Sequence, residues 1–357
     1  MSKFIWILAA FSYMAFADPG DTYINPFADL AAKPTVTDDG QTKVYGYYDE
    51  GCMDGGIPMT PDSPDDWQCM HPERHRCYGT PDMKSFLEYL SQKNGKLGVG
   101  DVAQAAGGAL IGGHASHETG LDADIRYEIL PKGKTLTNEE LTNHEAVTVG
   151  VHQVNGLPDH PSLESHMVNG AWNQKLSHLL QTAAEYPGVD RIFVTTPLKL
   201  ELCREFHSLG SYPSWLAKLH PWYGHDDHFH VRLACPPSSP DCKKQKPLPV
   251  DPTDPTKVGC AGENLKYWTN SDPTKLKTAE NDDKNSTFMS DQIWDEQHPE
   301  KADPNKPEKL PTWERQTYHL PAKCEAVKQK LVQQIKDSNK AIATQADTNP
   351  GEAQVQR

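Results

Sequence analysis

The chain has 357 residues, and 35 Lys and Arg against 49 Asp and Glu give a formal net charge of −14. That balance argues against a nucleic-acid partner, since binders of nucleic acid carry basic patches. No stretch approaches the roughly 18 consecutive apolar residues of a transmembrane helix.

The opening "MSKFIWILAAFSYMAFADPG" has Lys3, an apolar run from Phe4 to Phe16, and Ala15-Phe16-Ala17 before Asp18-Pro19. This is the layout of a secretory signal peptide over residues 1–17, cleaved after Ala17. An exported chain makes the even number of cysteines, eight at 52, 69, 77, 203, 235, 242, 260 and 324, read as disulfides. None of the spacings is the C-x(2–4)-C of a structural zinc cluster. Spacing alone cannot pair them, because eight cysteines allow about a hundred connectivities. Each bridge contributes typically about 2–4 kcal/mol.

Residues 18–80, rich in Gly, Pro and Asp, predict loops and short strands. "TPDMKSFLEYLSQK" predicts an amphipathic helix with Thr80 as N-cap, Pro81 in the first turn, and Phe86, Leu87 and Leu90 inward. "LDADIRYEIL" alternates Leu121, Ala123, Ile125 and Tyr127 with more polar residues, the pattern of a half-buried strand. A helix over "GAWNQKLSHLLQTAAEY" turns Trp172, Leu176, Leu179 and Leu180 inward. A buried strand "DRIFVTT", a helix "PLKLELCREFHSL" and a strand "HFHVRLAC" complete the set. Helices and strands mix without regular alternation, so the class is α+β. From residue 244 to 357 the composition turns rich in proline and charge, a partly disordered extension. It carries one terminal helix candidate, "CEAVKQKLVQQIK", with Val327, Leu331 and Ile335 at i+4 spacing.

Two short pieces hold five of the sixteen histidines: "GGHASHETGLDADI" and "GHDDHFHVRLACP". A catalytic zinc site needs about three N or O ligands and an open position. A turn at Gly120 lets His117 and Asp124 return to one point, and Asp122 shares a strand face with Asp124. His228 and His230 project from one face of their strand, with Phe229 turned into the core. Placing the two strands side by side gathers His117, Asp124 and His230 around one ion.

These blocks, with "YGTPDMKSFLEYLS" and "RIFVTTPLKLELC", resemble the penicillin-insensitive murein endopeptidases, over roughly residues 45–245. That family is related to lysostaphin and to D-Ala-D-Ala metallopeptidases. The resemblance implies an antiparallel sheet with flanking helices in a catalytic domain spanning 18–243 (core 45–243), with disulfide-linked extensions. It implies Zn2+ on His117, Asp124 and His230, and His114 as an added ligand or a group supporting one. By the same resemblance His228 becomes the residue that handles the proton or the developing oxyanion, and His225 a further active-site histidine. It also implies the pairs Cys235–Cys242, Cys203–Cys260 and Cys52–Cys324, leaving Cys69–Cys77. The expected substrate is the D-alanyl–meso-diaminopimelyl cross-link of peptidoglycan, in the periplasm. There is no H-E-x-x-H, so histidine is the base that the sequence offers.

Arg126-Tyr127 departs from the apolar residues expected after the first block and is expected to alter the cleft wall. Leu163 precedes His166 where an acidic residue would favour a second metal position. Rival readings are a D,D-carboxypeptidase or dipeptidase on stem peptides, a non-catalytic wall- or zinc-binding module, and a metal carrier. Retention of His225 and His228 beside the ligand set argues against the binding module. Strand-borne histidines argue against a flexible carrier.

Overall fold

The computed structural model describes residues 26–29, 32–110, 116–150, 168–222, 225–261 and 320–348. The segment 1–17 expected to be a signal peptide, His114 and His166 lie outside the described residues. Among the described residues there are ten strands: β1 (Lys43–Tyr47), β2 (Glu50–Asp54), β3 (Ile57–Pro58), β4 (Trp67–Cys69), β5 (Tyr78–Gly79), β6 (Leu97–Val99), β7 (Asp122–Ile129), β8 (Val189–Val194), β9 (Leu219–Pro221) and β10 (His228–Leu233). The helices are α1 (Pro81–Asn94), α2 (Asn138–Thr142), α3 (Gln174–Glu185), α4 (Thr196–His207) and α5 (Ala322–Thr348).

A six-stranded sheet in the order β4-β6-β7-β10-β8-β9 forms the centre, and β1–β2 and β3–β5 make two small antiparallel pairs. The four inner strands of the large sheet run antiparallel, as expected. Its edges differ: β4 joins β6 and β9 joins β8 in parallel. The sheet is therefore mixed. The β8–β9 connection includes α4, the kind of helical crossover that parallel neighbours need.

α1 begins where the sequence places it. Thr80 is extended and its hydroxyl accepts from the Met83 N–H, while Pro81 occupies the first turn without losing a needed donor. α3 starts later than the apolar pattern suggests. The Asn173 side chain accepts from the amides of Lys175 and Leu176, capping the helix and leaving Trp172 outside it. Phe86, Leu87 and Leu90 of α1 and Leu179 and Leu180 of α3 pack over Ala123, Ile125, Phe229 and Val231, all essentially buried. At about 25 cal/mol per Å² of apolar surface, each of the Phe, Leu, Ile and Val side chains contributes roughly 1.5–3 kcal/mol.

β7 is not half-buried. Its first four residues are all buried, Asp122 completely and Asp124 at 7% exposure. Alternation correctly separates the two faces, but the polar face is also covered, and two buried carboxylates need partners.

Four disulfides join Cys52–Cys324, Cys69–Cys77, Cys203–Cys260 and Cys235–Cys242. Residues 247–261 fold back onto the body. Lys199 Nζ, fully buried, donates to Leu216 O at 2.5 Å and Val258 O at 2.7 Å beside the Cys203–Cys260 bridge.

Candidate metal centre

The site lies on the polar face where β7 and β10 pair at the middle of the sheet. Their register sets His228 opposite Arg126, His230 opposite Asp124, and Arg232 opposite Asp122. Directly opposed residues share a face, so these six side chains line one side while Ile125, Ala123, Phe229 and Val231 line the core. His117 arrives from the preceding loop in a left-handed conformation, φ 71°. Gly120, φ 68°, then turns the chain into β7; a Cβ there would come within 2.5 Å of Met53 Sδ.

Three imidazole nitrogens converge on one carboxylate oxygen. Asp124 Oδ1 lies 3.3 Å from His117 Nε2, 3.2 Å from His230 Nδ1 and 3.6 Å from His228 Nε2. Although buried, this oxygen accepts no well-formed hydrogen bond among the described residues. The opposite nitrogen of each ring is committed elsewhere. His117 Nδ1 donates to Val102 O at 3.0 Å, His230 Nε2 meets Asp122 Oδ1 at 2.9 Å, and His228 Nδ1 meets Asp227 Oδ1 at 2.6 Å. Such partners fix the ring orientation and direct the other nitrogen inward, as outer groups do around metal-binding histidines.

One donor atom each from His117, Asp124 and His230 falls within 4.8 Å of the others, a spacing that can hold a metal ion. The donors suit zinc: two imidazoles and a carboxylate. A cation between them would also satisfy the orphaned Asp124 oxygen.

Asp122 braces the whole arrangement. Besides His230 it accepts from Arg232 Nε at 2.8 Å, and its other oxygen accepts from the His117 amide at 3.3 Å. Arg232 is itself fully buried and stacks 4.0 Å above the Tyr48 ring. Burial opposes ionisation of Asp122, but Arg232 and His230 outweigh it and hold the carboxyl well below the usual range. Asp124 is likewise held ionised against its burial by His117 and His228. In the metal-free site, burial disfavours a charged His117, yet Asp124 beside it raises its pKa to about 9. His228 follows the same logic, with Asp124 and Asp227 overcoming burial to raise it.

His225 sits with its ring 5.1 Å from that of His228, and its carbonyl accepts from Tyr127 Oη at 3.1 Å. Trp222 is half-buried nearby, edge-on to Phe193 at 6.2 Å, and Phe193 also packs on His230. Among the described residues a separate cleft of about 540 Å³ lies at Asp190, Arg191, Trp215 and Lys218, and none of the site imidazoles lines it.

Two residues escape a reading of the sequence alone. Asp227 joins His228 to Arg126, whose Nη1 lies 2.5 Å from the other oxygen of Asp227. Arg126 is thus part of the support for His228 as well as a departure from apolar character. The only local signal is the adjacency of Asp227 to His228; Arg126 is 101 residues away.

Residues 44–329 match the family model described as penicillin-insensitive murein endopeptidase. The chain belongs to that family. Among curated penicillin-insensitive murein endopeptidases, that of Haemophilus influenzae is 34% identical over 241 residues, covering 66% of this chain and 76% of the relative. The Klebsiella pneumoniae relative is 36% identical over 248 residues, 67% and 82% of the two chains. The Escherichia coli K12 relative is 34% identical over 250 residues, 68% and 83%. As a member of this murein endopeptidase family, the chain has the two histidine blocks inside the matched region, and no helix among its described residues is long and apolar enough to cross a membrane.

Proposed function

We propose that this murein endopeptidase is a zinc enzyme that hydrolyses the D-alanyl–meso-diaminopimelyl amide cross-link of peptidoglycan after export to the periplasm. The observation that carries the reading is Asp124 Oδ1, buried, without a well-formed hydrogen bond among the described residues and faced by three oriented imidazole nitrogens. His117, Asp124 and His230 would hold the ion. Two neutral imidazoles and one carboxylate leave such a centre net positive. When bound, zinc supplies a Lewis acid for the amide carbonyl and makes a nearby water more acidic.

The chain's own residues handle the protons. His228, fixed through Nδ1 by Asp227, turns Nε2 toward the site. There it accepts a proton from the attacking water and returns it to the leaving amine nitrogen as the C–N bond breaks. His225, beside it, donates to the developing oxyanion at the carbonyl carbon. The eight disulfide-bonded cysteines and the opening apolar run favour an oxidising compartment. His114 is assigned to the same centre as a further ligand or as support for one.

The deciding experiment digests purified cross-linked dimeric muropeptides with wild type, His117→Ala and His230→Ala, with and without a chelator, and reads the products by mass spectrometry. Conversion of dimers to monomers by one hydrolysis, stopped by chelation and by either substitution, is expected. Intact dimers alongside trimmed monomeric stems would replace the reading by a D,D-carboxypeptidase.

A further inference from the structure

Among the described residues the C-terminal extension supplies none of the side chains of this centre, yet the first turns of its helix pack on the frame that holds His117. α5 buries Cys324, Val327 and Leu331 against Phe27, Cys52 and Ala106 in a small core of their own. Lys330 Nζ adds contacts to Asp54 Oδ2 at 2.6 Å and Val36 O at 2.9 Å. The Cys52–Cys324 bond joins the helix to the middle of β2, 272 residues away in sequence.

The hairpin β1–β2 in turn grips the residue after His117. The Tyr48 carbonyl accepts from the Glu118 amide at 3.2 Å, and the Gly51 amide donates to Glu118 Oε2 at 2.9 Å. On the far side Gly108 N donates to Glu118 O at 2.9 Å, and Met53 N donates to Ala106 O at 3.0 Å. Contact is close: a Cβ on Gly51 would meet Thr119 Cγ2 at 2.6 Å. Glu118 is 1% exposed. His117 itself adopts the left-handed backbone, a state that a residue with a side chain keeps only where its surroundings over-determine it.

We propose that the Cys52–Cys324 clasp and the first turns of α5 position His117, acting through the β1–β2 hairpin and Glu118, so that α5 sets the metal affinity of a site to which it contributes no ligand. The proposal rests on His117 being a metal ligand, as argued above. The clasp keeps the hairpin seated, the hairpin keeps Glu118 seated, and the adjoining His117 keeps its left-handed turn.

The test uses the full chain and two readings: hydrogen exchange at the Glu118 and Gly108 amides, and Zn2+ affinity by competition with a chromophoric chelator. Cys324→Ser should speed exchange at these amides and weaken zinc binding by roughly tenfold, the low end for loss of outer support to a ligand. Exchange in α3 and β8 should not change. Leu331→Ala, which keeps the disulfide, should move both readings the same way by less. A folded Cys324→Ser with wild-type exchange at these amides, or with faster exchange and unchanged zinc affinity, overturns the proposal. If Cys324→Ser does not fold, Leu331→Ala decides by the same two readings. Should wild type bind no zinc, or His117→Ala bind it as tightly as wild type, the metal reading falls. The exchange data alone then judge whether the clasp holds the loop.

Discussion

Replacing Asp122 by Asn keeps the shape of the side chain and removes its charge, at a position with no solvent exposure. Three donors lose their carboxylate: Arg232 Nε at 2.8 Å, His230 Nε2 at 2.9 Å and the His117 amide at 3.3 Å. The main cost falls on the Arg232 guanidinium, fully buried and deprived of the Asp122 charge that it contacts. Breaking one partner from a buried pair costs about 3–5 kcal/mol. The amide oxygen of Asn can still accept one bond, so about 3 kcal/mol is expected, a large share of the roughly 5–15 kcal/mol of a typical fold. The assay is urea unfolding of the metal-free protein at pH 7, read as a fall in midpoint at unchanged slope. Arg232→Met in the same background should recover about 2 kcal/mol, because the buried cation is gone, although its stacking on Tyr48 is lost too. Zinc affinity should not recover, since His230 still lacks its carboxylate; a deficit of about 10–100-fold is expected. A cost below about 1 kcal/mol for Asp122→Asn, or no coupling with Arg232→Met, would refute the claim that a buried ion pair braces this site.

Three further outcomes follow from the same geometry. His117, raised from 6.5 to about 9 in the metal-free site, stabilises the fold fully below pH 6.5 and loses that contribution as pH rises through about 9. Asp122, Asp124 and Asp227, all lowered from 3.8 (Asp227 to about 2), stabilise above that value and lose their contribution as pH falls through their folded pKa values. Metal-free stability should therefore peak between about pH 4 and 6.5, as thermal unfolding across pH would show. Zinc binding at pH 7.5 should release at least about one proton as His117 becomes a ligand, measured by calorimetry in buffers of different ionisation enthalpy; no release would show that His117 is already neutral in the metal-free site and would refute its raised pKa. Asp227→Ala removes the partner of His228 Nδ1, so kcat on a soluble dimeric muropeptide should fall about 10–100-fold with KM little changed. Asp227→Asn, able to accept from Nδ1–H, should restore much of it, whereas a change confined to KM would argue for a substrate-binding role instead.

Much of this protein is local enough to read from its sequence. Thr80 and Pro81 start α1, the apolar spacing of Phe86, Leu87 and Leu90 selects its inner face, and alternation in "HFHVRL" sends Phe229 inward and His228 and His230 to the other side. Each follows from a short-range period or a cap, which neighbouring residues determine by themselves. A period of two assigns a face but not a partner, and a slip of one residue would exchange the faces. Only the packed sheet decides that His230 lies opposite Asp124, that the polar face of β7 is buried, and that Arg126 closes on Asp227 from 101 residues away. The seating of α5 is of the same kind. Its helical pattern is visible in Val327 and Leu331, but their partners Phe27, Cys52 and Ala106 are set by long-range contact, because an amphipathic face specifies burial and leaves the covering surface to the tertiary fold.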